Sequence, residues 1–156
     1  MYSLFLYNWQ VRDEWIDVLQ TRSHEELTAE RIGGVGSILK TLFHIVDVEY
    51  SWLRGIEGYN DPEPVYEEYP TLQSVKLLSD KYREDLKIIL QSLTDEKEQR
   101  VVKVHWNEKS FVYGEILRHA AAHEIHHMGQ LSVWAKELGM ERVSANFIGR
   151  GLGASI

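Results

Sequence analysis

Four of the chain's seven histidines, His119, His123, His126 and His127, fall within nine residues. If that segment is helical, His123 and His127 stand about 6 Å apart along the axis and on nearly the same side. Two imidazoles so placed can hold one divalent ion. They also fall within an apolar stripe between Ala120 and Leu131, so they point into a core rather than into water. A buried imidazole is costly unless each ring nitrogen finds a partner. A metal ion supplies one partner and a nearby acceptor the other. The alternative is a hydrogen-bonded histidine pair with no ion.

A third histidine raises the metal reading. His44 sits midway along an otherwise apolar segment, where facing helices of a bundle converge. Three histidines with the remaining positions open is the ligand count of a catalytic zinc-type site. Nickel and iron accept the same donors, so zinc, nickel and iron all stay open. Gln130, one turn beyond His127, can orient a ligand, and Glu49 can hydrogen-bond a ligating imidazole if it turns inward. His126 lies about 100° around the helix from His127 and should not share the ion. His119 fits a pocket wall or a packing role, and nothing is assigned to His24 and His105.

Residues 123–127 read literally as H-E-x-x-H, in which a protease uses the Glu as general base and the two His as zinc ligands. The fit fails further along. The extended pattern needs Gly at position 130 and His at position 133, where Gln130 and Val133 stand, and Glu141 comes too early for a downstream carboxylate ligand.

The elements that must hold these residues follow from apolar spacing. Leu4, Asn8, Val11, Trp15 and Val18 repeat at helical steps over about Ser3 to Gln20, with Arg12, Asp13 and Asp17 off the stripe. Ser23 to Glu26 has capping-box spacing, which allows a short helical turn. A second long helix is predicted from Val35 to Glu57, lined by Ile38, Leu42, Ile45, Glu49, Trp52 and Leu53. Prolines and glycines break the chain before a third, about Leu72 to Ser92, capped by Thr71. Thr94 to Gln99 reads as a charged connection. Arg100 to Phe111 is β-branched and aromatic around a turn at Asn107, and reads as a small irregular hairpin. The fourth long helix spans Tyr113 to Leu138, stopped by Gly139. The fold class is therefore all-α: a four-helix bundle with a small hairpin before the last long helix, as one domain over residues 1–156. The connections are long enough that simple up-down order is not forced.

Composition sets limits. The 156 residues carry 17 Lys+Arg against 24 Asp+Glu, a net charge of −7, and no basic cluster. Such a surface repels phosphate backbones, so no nucleic-acid partner is expected. There is no cysteine, which removes disulfides, Cys-based metal sites and a Cys nucleophile, and fits a reducing cytoplasm. No apolar run approaches a membrane span, and the first eight residues lack the cationic region and cleavage site of a signal peptide.

Residues 114–131 (GEILRHAAAHEIHHMGQL) resemble the last bundle helix of the DinB-like (damage-inducible, YfiT-like) metalloenzymes. Residues 37–52 (SILKTLFHIVDVEYSW) resemble their second helix, and Tyr7-Asn8-Trp9 their first. The resemblance implies a four-helix bundle with unusual connections, often a dimer. It implies a divalent metal held by one His of the second helix and an H-x-x-x-H pair of the fourth, roles that carry over to His44, His123 and His127. Characterised relatives include thiol-dependent S-transferases and a mycothiol-dependent isomerase.

Three functional readings result. The first is an enzyme that transfers a low-molecular-weight thiol to an electrophile, its sulfur nucleophile activated by the metal. The lack of cysteine suits it, because the cosubstrate brings the sulfur. The second is metal-dependent hydrolysis, which needs a general base such as Glu49 or Glu124. The third is a non-catalytic metal-binding stress protein. Ala121, Ala122 and Gly129 allow close approach along another side of the last helix, within the bundle or at a homodimer seam.

Overall fold

The computed structural model describes residues 1–153. Its long helices are α1 (Tyr2–Leu19), α3 (Ile38–Ile56), α4 (Leu72–Gln91) and α6 (Tyr113–Glu137), with short helices α2 (His24–Thr28) and α5 (Asp95–Glu98) between them. Strands β1 (Val101–Lys103) and β2 (Ser110–Val112) pair antiparallel, Val102 opposite Phe111, immediately before α6. No helix among the described residues is long and apolar enough to cross a membrane.

Local chemistry sets the helix ends. Ser23 and Glu26 form the capping box that starts α2, and the Thr71 hydroxyl accepts from the Ser74 amide at the start of α4. The second long helix begins at Ile38, not at Val35. Gly36 takes φ +102°, outside helical space, and the Ser37 hydroxyl accepts from the Lys40 amide as the cap. The connection at 94–99 also differs from the expected loop, because the Thr94 side chain caps the four-residue α5.

Each of α1 and α3 packs against both α4 and α6, so the first two long helices lie across the bundle from one another. The core falls into two apolar clusters. One holds Trp15 and Leu19 of α1, Ile38 and Leu42 of α3, Val75 of α4 and Leu131 of α6. The other holds Phe5, Leu53, Leu86 and Leu117 from the same four helices. Chain order through the two clusters gives the directions: α1 and α6 run one way, α3 and α4 the other. The consecutive helices α3 and α4 are therefore parallel, and the segment from Glu57 to Thr71, with all three prolines, carries the chain back along the bundle.

Between the clusters lies a polar layer with one residue from each long helix. Arg12, read from sequence as off the apolar stripe, is fully buried. Its guanidinium donates to Glu49 Oε2 at 2.8 Å, to Glu124 Oε1 and Oε2 at 2.8 and 2.6 Å, and to Ser79 Oγ at 3.0 Å. The Trp9 indole fills the other Glu49 oxygen at 2.9 Å. Burial alone would lower the Arg12 pKa, but Glu124 and Glu49 outweigh it and hold the group charged. Burial, reinforced by the charge of Glu49, pushes Glu124 up against the pull of Arg12.

Removing one member of such a network leaves buried charge unpaired. Arg12→Met should lower the unfolding free energy by about 3–5 kcal/mol. Adding Glu49→Gln and Glu124→Gln should recover part of that loss, which urea denaturation of the single and triple variants measures.

Candidate metal centre

The bundle's antiparallel α3–α6 seam carries the three histidines. His44 projects from the middle of α3, and His123 and His127 from successive turns of α6. The Nε2 of His123 lies 3.1 Å from Nε2 of His44 and 3.1 Å from Nε2 of His127. All three donor atoms fall within 4.8 Å of one another. Their rings meet edge to face.

Protons serve this arrangement poorly. A neutral His123 can donate from Nε2 to only one of its two neighbours, leaving lone pairs in opposition. A single cation satisfies all three. Tetrahedral bonds of about 2.0–2.1 Å place ligand nitrogens about 3.3 Å apart, close to the spacing found here. The donor set therefore fits one divalent ion and does not select among zinc, nickel and iron.

The α6 helix sets the phase of the site. Adjacent residues point about 100° apart, so with Glu124 turned inward onto Arg12, His123 faces the α3 seam. Both carboxylates weighed as general bases are committed to the polar layer. Glu49 holds Trp9 and Arg12, Glu124 holds Arg12 through both oxygens, and neither bonds a histidine. The Glu of the H-E-x-x-H string is thus a bundle anchor turned away from the imidazoles.

Gln130 does reach one of the three histidines. The His127 Nδ1–H donates to Gln130 Oε1 at 2.7 Å, which leaves Nε2 with its lone pair toward the other rings. The Gln130 amide donates to His126 Nε2 at 3.1 Å, a link that reading His126 as pointing elsewhere missed. The loop before α3 closes on the same group. A Cβ at Gly34, where φ is +56°, would stand 2.7 Å from Gln130 Oε1 and 2.9 Å from the Trp134 ring. The Trp134 indole donates to the Ile32 carbonyl in that loop.

One side of the site is aromatic. Trp52 on α3 meets His119 at 5.6 Å, Trp106 at 5.4 Å and Phe111 at 5.9 Å, and His119 lies 6.0 Å from His123. Trp106 lies so close to Gly55 that a Cβ there would come within 2.5 Å of it. Beyond this wall a cleft of about 230 Å³ is lined by Trp52, Trp106 and His105 with Arg54, Asp61 and Asp47. The periodicity of the sequence did not single out Arg12, Gly34 or Trp106. The Gly33-Gly34 pair and the aromatic content of the hairpin were the only signals for the last two, and Arg12 gave none.

Burial lowers all three imidazole pKa values. His123 falls furthest, to about 4, with His127 and His44 adding to the desolvation. At His127 the bond to Gln130 opposes the fall.

Three imidazoles converging on the antiparallel seam of an up-down-down-up helical bundle define a class: helical bundles with a three-histidine cluster whose geometry could hold a cation. The chain belongs to the DinB family, which it matches over residues 1–150. It is 50% identical over 154 residues to YizA of Bacillus subtilis (strain 168), covering 97% of this chain and 96% of that protein. Two crystal structures share the fold. A DinB-like protein from Bacillus subtilis aligns with TM-score 0.65 at 20% identity, over 92% of this chain and 94% of the other. A DinB-like protein from Bacillus cereus ATCC 10987 aligns with TM-score 0.62 at 22% identity, over 91% and 95%.

Two measurements test the site. His123→Ala should reduce zinc affinity by more than the roughly 10–100-fold that losing an outer partner costs, whereas His126→Ala should stay within about tenfold. Equal zinc content in the two variants would overturn the ligand assignment. In the metal-free protein, unfolded imidazoles take a proton near pH 6.5, well above folded His123 at about 4. The unfolded chain binds more protons in that window, so stability is full above about 6.5 and is lost as pH falls through about 4. Denaturation midpoints across this range should follow that course.

Proposed function

We propose that the chain is a metal-dependent S-transferase that joins a low-molecular-weight thiol to an electrophile, with His44, His123 and His127 as the ligands. The observation that favours transfer over hydrolysis is the commitment of Glu49 and Glu124 to Arg12. Neither carboxylate is left to take a proton from water, while a thiol needs far less help to ionise. A divalent ion held by the three imidazoles would lower the pKa of a thiol bound there.

The protein's own groups position and exclude. Gln130 fixes the tautomer and tilt of His127, and His126 holds the Gln130 amide in the orientation this requires. Trp52 and Trp106 screen one flank from water and lead to the cleft of about 230 Å³, which would take the electrophile. In the reaction the S–H bond breaks and a sulfur–carbon bond forms. The leaving group takes the electron pair of the broken carbon bond, and the thiol proton passes to solvent past the half-buried His44 and His123.

Turnover of a chlorodinitrobenzene-type electrophile should require both the metal and an added thiol. Gln130→Ala should cost about 10–100-fold in rate or metal affinity. Metal-dependent ester cleavage without any thiol would replace transfer with hydrolysis. A lack of turnover on broad thiol and ester panels, with metal still bound, would favour the non-catalytic reading.

A further inference from the structure

The cleft beside the histidines has a charge and a wall chemistry of its own. It runs along α3 from Asp47 to Gly55 and is faced by the segment Tyr59 to Glu63 and by His105 and Trp106 of the hairpin. Asp47 follows His44 by three residues, about 4.5 Å along the helix axis and about 60° around it. A group held at Asp47 therefore stands roughly one helical turn from the three imidazoles.

Two of the charges in the cleft are spent on each other. Arg54 donates from Nε to Asp61 Oδ2 at 2.7 Å and from Nη2 to Asp61 Oδ1 at 3.0 Å. Its guanidinium also lies 3.4 Å from the centre of the Tyr59 ring. Asp47 has no such partner. The Ser51 hydroxyl donates to its Oδ1 at 3.1 Å, and among the described residues no lysine or arginine pairs with it. Burial pushes the Asp47 carboxyl up, the Ser51 hydroxyl opposes this, and the charge of Glu63 across the cleft adds to it. Asp47 is half-buried, so its uncompensated charge is costly to the protein and reachable from the cleft.

The walls are aromatic. Trp52 and Trp106 stand 5.4 Å apart with their planes inclined by 75°, and His105 meets Trp106 edge to face at 4.7 Å. Ring faces attract a cation through their quadrupole, and aromatic walls are the usual means of recognising an ammonium group. Other occupants fit less well. An anion would meet Asp47 and Glu63, with Arg54 already held by Asp61. A neutral molecule would leave Asp47 uncompensated. A metal ion needs several donors at one point, and among the described residues only His44, His123 and His127 bring three such atoms within 4.8 Å of one another.

We propose that this cleft recognises an organic cation, so that the electrophile of the reaction carries an ammonium group held by Asp47 and by the rings of Trp52 and Trp106. A cavity of about 150 Å³ holds benzene. The cleft of about 230 Å³ takes one ring with a small ammonium head. Calling the cation the electrophile rests on the S-transferase reading, whereas the charge and walls of the cleft do not.

Three probes of one size test this on the zinc-loaded protein by calorimetry: benzyltrimethylammonium, benzyl alcohol and phenylmethanesulfonate. A quaternary nitrogen has no lone pair, so the cation cannot bind by coordinating the zinc. It should saturate, about tenfold more tightly than the alcohol. Asp47→Asn keeps the shape and should erase that margin, with alcohol binding, zinc content and helical circular dichroism unchanged. Glu84→Gln removes an equal charge from an exposed position on α4 and should leave all three affinities as they were. The proposal is overturned if the alcohol binds as tightly as the cation, if the sulfonate binds tightest, if no probe saturates at millimolar concentration, or if the two variants lose the same affinity. Turnover separates this outcome from the fate of the transferase reading. With thiol present, a chloroacetamide bearing a trimethylammonioethyl arm should show a lower KM than its hydroxyethyl counterpart. Thiol-dependent turnover of both at equal KM would remove the cation proposal and keep the transferase. Asp47-dependent binding of the cation without turnover of either would do the reverse.

Discussion

Arg12 carries a full positive charge into the middle of the bundle, where no water reaches it. Such a charge is tolerated only when paired and hydrogen-bonded, and the pairs must come from the other helices. Glu49, Ser79 and Glu124 supply them, one from each. The layer has to fall at the same height on all four helices. Sliding α3 or α6 by one turn would bring an apolar residue against the guanidinium and a carboxylate into an apolar cluster. A polar layer of this kind selects one register among several apolar packings of similar energy, in the way that a buried polar position fixes a coiled coil.

The histidine site inherits its geometry from that layer. His123 is the residue next to Glu124, and His44 stands five residues before Glu49. Arg12 therefore fixes the rotation of α6 and α3 together, and the three imidazoles meet on the outer seam as a result. The glutamates that looked available for chemistry are instead committed to positioning the helices that carry the imidazoles. The hairpin and the loop before α3 then enclose the site from two sides, with Trp106 against Gly55 and Gly34 against Gln130.

The four long helices and the hairpin were legible in the sequence because each buries one stripe and ends at a cap, a glycine or a proline. The convergence of His44, His123 and His127 was legible for the same reason, since i,i+4 spacing on an apolar face dictates direction. Arg12 was not. Periodicity treats a charge as a mark of the solvent face, and a charge neutralised by residues 37 and 112 positions away leaves no local trace. The direction of α4 escaped for a similar reason. The length of the 57–71 segment permitted either orientation, and only the two clusters, filled from distant parts of the chain, decide between them. The link from His126 to Gln130 depends on an amide rotamer, which no spacing rule encodes.

The up-down-down-up order bears on how quickly the molecule can assemble. In a bundle that zigzags, each helix packs first on its sequence neighbour, and short loops close before long ones. Here α1 packs mainly on α4 and α6, and α3 meets α6 across most of the remaining chain. Contacts so distant in sequence must meet the entropy of closing large loops before any of them is rewarded. This protein, although mainly helical, is therefore expected to fold more slowly than a zigzag bundle of the same length, and its polar layer is complete only once the last helix has docked.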